Sequence, residues 1–221
     1  MARKEILTSD QKKFLQLASE ENYIAREFYL SGGTALSAFY LFHRYSEDLD
    51  FFIEKDEVNL ELIKRFIGKT EKRLKLAEVD YRGIFGIHNF FLHLSMDKVL
   101  KVDFSYYPFP RIEKGLKYQG LIIDSLYDIA VNKVHTISMQ PRARDFIDLF
   151  FIIKEKKYGL DDLILKAKLK FDWHIDALQL GTQFLKANEV KDYPRMIKKI
   201  APSEWQDFFV NEARKLGKKI F

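Results

Sequence analysis

At 221 residues, 47% hydrophobic and 31% charged, the chain has the length and composition of a soluble folded protein with one substantial domain or two small ones, and disorder is excluded. The absence of cysteine excludes a disulfide framework, thiolate metal sites and a cysteine nucleophile. The net charge of +5 is lopsided, −1 over residues 1–110 and +6 over residues 111–221. A basic half suits a docking polyanion, triphosphate or nucleic acid, and equally a solvated lysine-rich helical surface.

The start, Met1 to Glu5, is basic, but no continuous apolar stretch follows it. No run approaches the roughly 18 apolar residues of a membrane span. The chain is therefore expected in the cytoplasm, with no membrane partner. Thr8 to Arg26 reads as a helix with Phe14, Leu15, Ala18 and Ile24 on its apolar face. Phe28-Tyr29-Leu30 is a short buried strand running into a tight turn at Gly32-Gly33, and Thr34 can cap a helix that continues to Phe42. Asp48 to Ile53 reads as a strand and Asn59 to Leu74 as a helix. Extended segments follow at 77–83, 87–95 and 98–106, with a hairpin connection at Met96-Asp97-Lys98. Past Pro108 and Pro110 the pattern turns helical, with helices at 125–138, 142–156, 161–169, 173–187 and 203–217. The fold class is thus α/β, in the α+β sense. A catalytic core over 1–110 with a mixed sheet and flanking helices precedes a mainly helical region over 111–221, and the site is expected in the cleft between them.

The chemistry concentrates in two stretches. Leu30-Ser31-Gly32-Gly33-Thr34-Ala35-Leu36 is followed by Arg44-Tyr45-Ser46-Glu47-Asp48-Leu49-Asp50-Phe51. On a strand, Asp48 and Asp50 point to one face while Leu49, Phe51 and Ile53 point to the other. Like charges side by side repel, and a divalent cation removes the repulsion. Carboxylate oxygens suit Mg²⁺ (or Mn²⁺), which binds one or two carboxylates plus substrate phosphates. Gly32-Gly33, between strand and helix, lets the backbone approach a ligand closely, and free N–H groups at the helix start can hold phosphate oxygens. Asp103, in the apolar segment Val99 to Phe104, completes a three-carboxylate metal set if its strand pairs beside Asp48-x-Asp50. It is then also a candidate base toward an attacking hydroxyl. Each of these features has a plain structural reading too: an acidic edge strand, an ordinary turn, an exposed strand residue.

The Gly-Gly-Thr-Ala-Leu block and Arg-x-Ser-x-Asp-x-Asp-Phe resemble the opening motif of the DNA-polymerase-β-like minimal nucleotidyltransferases, and more narrowly the AbiEii/AbiGii-type toxins. Asp128-Ile129-Ala130-Val131-Asn132-Lys133, then Arg142-Ala143-Arg144-Asp145-Phe146-Ile147-Asp148, is similar to the second block of that family. The match covers about residues 28–54 and 124–153; Asp103 stands outside it, and Gly33 replaces a serine common in the wider family. The resemblance implies transfer of a nucleoside monophosphate from an NTP to an acceptor hydroxyl, with release of pyrophosphate. It implies Asp48 and Asp50 as metal ligands, and Gly32, Gly33, Thr34 and Ser46 on the triphosphate. Lys133 would reach a phosphate, Asp145 would stand near base, sugar or acceptor, and Asp148 would support it, with Arg44, Arg142 and Arg144 as further substrate-side cations. It implies an RNA or tRNA acceptor and a cognate antitoxin. The rivals are a silent nucleotide or RNA binder, and transfer to a protein or small-molecule acceptor. The five histidines show no zinc spacing, and neither a Gly-x-Ser-x-Gly elbow nor a P-loop is present. The aromatic run Tyr106-Tyr107-Pro108-Phe109 is expected at a domain junction, with nucleobase stacking as the alternative.

Overall fold

The computed structural model describes residues 6–174 and 176–218; the basic start Met1 to Glu5 lies outside them. The chain forms two compact units. One holds the residues up to Tyr40 together with Ser46–Ser125, and the other holds Leu41–Tyr45 together with the chain from Leu126 onward. The change of character expected after Pro110 thus falls some fifteen residues later, because the sheet continues to Ile123.

In the first unit, α1 (Ser9–Glu20) starts at a capping box in which Thr8 and Gln11 exchange side-chain bonds to each other's backbone N–H. Glu21 adopts an extended conformation, so the single helix expected over 8–26 is two, α1 and α2 (Asn22–Glu27). Then come β1 (Phe28–Ser31), a short α3 (Gly32–Ala35) running into a π-helical turn (Leu36–Leu41), β2 (Leu49–Ile53) and α4 (Leu60–Leu74). The extended segments are β3 (Glu78–Ile84), β4 (Ile87–Ser95) and β5 (Lys98–Tyr106). Two further strands, β6 (Leu116–Tyr118) and β7 (Leu121–Ile123), turn through Gln119 and Gly120, both at positive φ, as a tight two-residue hairpin needs.

The seven strands form one mixed sheet in the order β3-β4-β5-β2-β1-β7-β6. β2 runs parallel to β5, and β1 parallel to β7, while the remaining neighbours are antiparallel. One face is the core. Phe51 and Phe104 stack at 5.2 Å, Phe28 and Phe90 meet Phe104, and Phe14 of α1 bridges Phe51 to Phe66 of α4. Phe14, Phe51 and Phe104 are fully buried, which at roughly 1.5–3 kcal/mol per buried large side chain fixes which face of each strand turns inward. That choice puts the residues between them, Asp50 and Asp103, on the opposite face. The run Tyr106 to Phe109 packs inside this unit, Tyr107 against Phe52 at 4.9 Å and against Phe109 at 5.0 Å.

The second unit comprises α5 (Leu126–Met139), α6 (Ala143–Lys156), α7 (Leu160–Lys170), α8 (Ala177–Leu185) and α9 (Pro202–Gly217). Its core centres on Phe146, which meets Trp205 and Phe209, with Phe184 behind. The segment Leu41–Tyr45 is built into it. Arg44 bridges to Met196, the His43 carbonyl accepts from the Ile197 and Lys198 N–H groups, and the Tyr45 N–H donates to Arg195. No helix among the described residues is long and apolar enough to cross a membrane.

Candidate active site

Parallel pairing of β2 with β5 sets Asp50 directly beside Asp103, flanked by the buried pairs Leu49–Val102 and Phe51–Phe104. Asp48 precedes β2 by one residue. The three carboxylates expected to share a site are therefore gathered on one unit. Lys101, two residues from Asp103 and on the same face, is the residue that sequence reasoning passed over. Its Nζ lies 2.5 Å from Asp103 Oδ2 and 3.8 Å from Asp48 Oδ2. The i, i+2 spacing on a strand is the signal that could have found it.

The charges confirm the coupling. Burial works against the Lys101 ammonium, but the bond to Asp103 and the fields of Asp103, Asp48 and Asp50 outweigh it and hold its proton above the ordinary lysine value. Burial raises the Asp103 carboxyl above the usual carboxylate value; Lys101 opposes the shift and Asp48 reinforces it.

The glycine turn is shaped by Asp50. Gly32 has φ +71°, and a Cβ there would stand 2.2 Å from Asp50 Oδ2. Only glycine satisfies both the backbone and the close approach. Gly33 follows in the first turn of α3. Thr34 is fully buried and its hydroxyl donates to the Asp48 carbonyl at 2.5 Å, so it positions Asp48. Ser46 is held through its backbone: Gln11 Nε2 donates to the carbonyls of Ser46 and Glu47, both at 3.0 Å. Asp124, also missed from sequence, closes the other side of the turn. It accepts from Ser31 Oγ at 2.7 Å, and its backbone N–H donates to Leu30.

The second expected group assembles in the helical unit as a closed ion cluster. Arg44 clasps Asp148 with two bonds, Nε to Oδ1 at 2.6 Å and Nη2 to Oδ2 at 2.8 Å. Lys133 Nζ lies 2.7 Å from both Asp145 and Asp148, and His43 Nε2 lies 2.8 Å from Asp148. Asp145 also accepts from the Arg142 backbone N–H and from Nε of the same residue, satisfying the start of α6. Arg44, Lys133, Asp145 and Asp148 are all buried. Arg44, Lys133, Asp145 and Asp148, expected on the substrate side, are thus brought together in one cluster, with Asp148 beside Lys133 and Arg44. Burial works against both charges here, but Lys133 and Arg44 outweigh it and hold Asp148 well below the usual carboxylate value, while the two aspartates hold Lys133 above the usual lysine value. Burial makes His43 a weaker base than usual despite the Asp148 carboxylate beside its Nε2. Arg142 is half-exposed at its side chain and Arg144 is half-buried on the same helix.

The carboxylate face suits a hard divalent cation by chemistry: every donor is a carboxylate oxygen, and Asp103 Oδ1 is buried without a hydrogen-bond partner. As arranged, no group of three or more acidic or histidine side chains among the described residues forms a ready metal cage, and the Lys101 ammonium lies beside Asp103 and Asp48.

Comparison with known proteins agrees with this layout. The sequence profile of the family described as nucleotidyl transferase AbiEii toxin, type IV TA system, matches residues 17–214. A protein of Aquifex aeolicus (strain VF5), aq_aa25, is 30% identical over 151 residues, which are 67% of this chain and 68% of that one. The fold is similar to that of JHP933 from Helicobacter pylori, with a TM-score of 0.60 at 19% identity over 96% of this chain and 94% of that one. It is similar as well to MenT4, the nucleotidyltransferase toxin Rv2826c of Mycobacterium tuberculosis H37Rv, with a TM-score of 0.53 at 16% identity over 92% and 82%.

Proposed function

The chain belongs to the AbiEii family of nucleotidyltransferase toxins of type IV toxin–antitoxin systems, and from that premise we propose that it moves a nucleoside monophosphate from an NTP to the hydroxyl of an RNA, on the Asp48–Asp50–Asp103 face of its sheet. The observation that carries the proposal is the in-register pairing of Asp50 with Asp103, with Gly32 seated against Asp50. Asp48, Asp50 and Asp103 are the proposed ligands of Mg²⁺ or Mn²⁺, which supplies charge neutralisation on the triphosphate when bound. The backbone of Gly32 and Gly33 is the proposed cradle for phosphate oxygens.

In the reaction, the acceptor hydroxyl oxygen bonds to the α-phosphorus. The bond from that phosphorus to the bridging oxygen breaks, and pyrophosphate leaves with the electron pair. The hydroxyl proton passes to Asp103, the proposed base of the carboxylate set. Thr34, Gln11 and Asp124 act as positioning residues that fix the turn and the Asp48 backbone. Arg44 and Asp148 hold Lys133 and Asp145 in one buried cluster, and Lys133, Asp145, Arg142 and Arg144 are proposed substrate-side groups. An RNA acceptor, tRNA in particular, is supported by the +6 charge of residues 111–221, and a cognate antitoxin partner by the family.

The test is incubation of the purified protein with Mg²⁺, each α-³²P-NTP in turn and total tRNA, resolved on a denaturing gel. Label on tRNA with one NTP, accompanied by pyrophosphate, is the expected result. Label on protein or on a small molecule would replace the RNA acceptor, and absence of pyrophosphate release with any acceptor would contradict the proposal.

A further inference from the structure

Among the described residues, Lys101 is a cation held among the carboxylates, and the reaction as proposed gives it nothing to do. Its Nζ lies 2.5 Å from Asp103 and 3.8 Å from Asp48, with the Lys101 and Asp103 side chains 31% and 13% exposed. The sheet fixes this geometry. Lys101 and Asp103 are successive same-face residues of β5, and β2 brings Asp50 to the register position of Asp103. Three gathered carboxylates need a counter-charge, and here one is part of the chain. An ammonium and a divalent cation cannot share that place, since like charges a few ångströms apart repel strongly where water is partly excluded.

We propose that Lys101 is a built-in competitor for the metal. It offsets part of the charge of Asp103 and Asp48 while no divalent cation is bound, and turns to the nucleotide's phosphates once one is. The inference rests on the assignment of these carboxylates as metal ligands. A lysine can make the exchange because its ammonium is a compact charge on a flexible four-carbon stem. The consequence is a coupling between two ligands. Metal alone has to displace Lys101 without offering it a new partner. Metal with nucleotide supplies phosphate oxygens for the displaced ammonium. Bare metal therefore binds weakly, and metal and NTP bind cooperatively, which keeps one counter-charge of the chain's own on the carboxylate face until the complete substrate arrives.

The test is Mn²⁺ binding to the full chain, followed by the paramagnetic resonance of free Mn²⁺, with and without a non-hydrolysable α,β-methylene NTP analogue. The proteins are the wild type, Lys101→Met, Lys101→Gln, Lys101→Arg and Asp50→Ala, each checked for its fold by circular dichroism. Lys101→Met and Lys101→Gln should bind Mn²⁺ alone about tenfold more tightly than the wild type. The enhancement by the analogue should shrink by about the same factor. Lys101→Arg, which keeps the charge, should bind bare Mn²⁺ as weakly as the wild type. Mn²⁺ affinity that is unchanged or weaker in the neutral variants, or tight binding in the arginine variant, would overturn the role of Lys101. If binding is nevertheless lost in Asp50→Ala, the metal site itself stands. No Asp50-dependent binding in any variant would overturn both the site and the inference.

Discussion

A single missing methyl group sets the approach of the glycine turn to the carboxylates. Gly32 sits at φ +71° with Asp50 Oδ2 where its Cβ would be. Gly32→Ala therefore meets two obstacles, a left-handed backbone and a clash with a proposed metal ligand. The strained backbone costs about 1–3 kcal/mol. Displacing a reacting group by about 1 Å can cost on the order of 100-fold in rate. We expect nucleotidyl transfer to fall about 100-fold while the far-UV spectrum is kept, as measured by label transfer beside circular dichroism. Thr34 shows the limit of reading single residues. Its place after Gly-Gly suggests a ligand hydroxyl, and the bond of that hydroxyl to the Asp48 carbonyl, 14 residues on, is invisible in local spacing.

At the scale of elements, the ion cluster on α5, α6 and the 41–45 segment dominates the helical unit. Asp148→Asn leaves Arg44 and Lys133 short of a buried counter-charge, which costs roughly 3–5 kcal/mol. Both tryptophans, Trp173 and Trp205, lie in that unit, so urea unfolding followed by their fluorescence reads this loss directly. The same cluster predicts how the unit responds to acid. His43 titrates below its ordinary value of 6.5 when folded, so the unfolded chain takes up a proton first and stability begins to fall as the pH drops below that value. Asp148, held well below 3.8, gives stability that is complete above that value and lost as the pH falls through its folded value. Urea midpoints measured from pH 8 downward should show a first decline below about 6.5 and a steeper one below about 4, the latter weakened in Asp148→Asn.

Most elements were legible because their patterns are strong. The alternation of Leu49, Phe51 and Ile53 with Asp50 and Phe52 marks β2, and the Asn59 cap marks the start of α4. The strands β6 and β7 were not legible, since three residues carry too little alternation and Gln119 hides a positive-φ turn. The role of Arg44 was not legible either. The acid that clasps it lies 104 residues further along the chain, and no local spacing encodes such a pair.

For the whole molecule, the division of charge is the organising fact. The sheet unit pairs Asp50 with Asp103, and the excess of positive charge lies in residues 111–221. If that excess holds RNA, labelling of tRNA should fall steeply between about 50 and 200 mM salt through counterion release. The fall should exceed any change in metal-dependent NTP binding measured at the same salt. The central claim is that Asp48 and Asp50 carry the transfer. The measurement that reaches it most directly is pyrophosphate release and α-label transfer by Asp48→Ala and Asp50→Ala beside the wild type, with matched unfolding midpoints. The account predicts both activities lost, by about 1,000-fold or more, in proteins that remain folded. Near-wild-type transfer in both folded variants would contradict it.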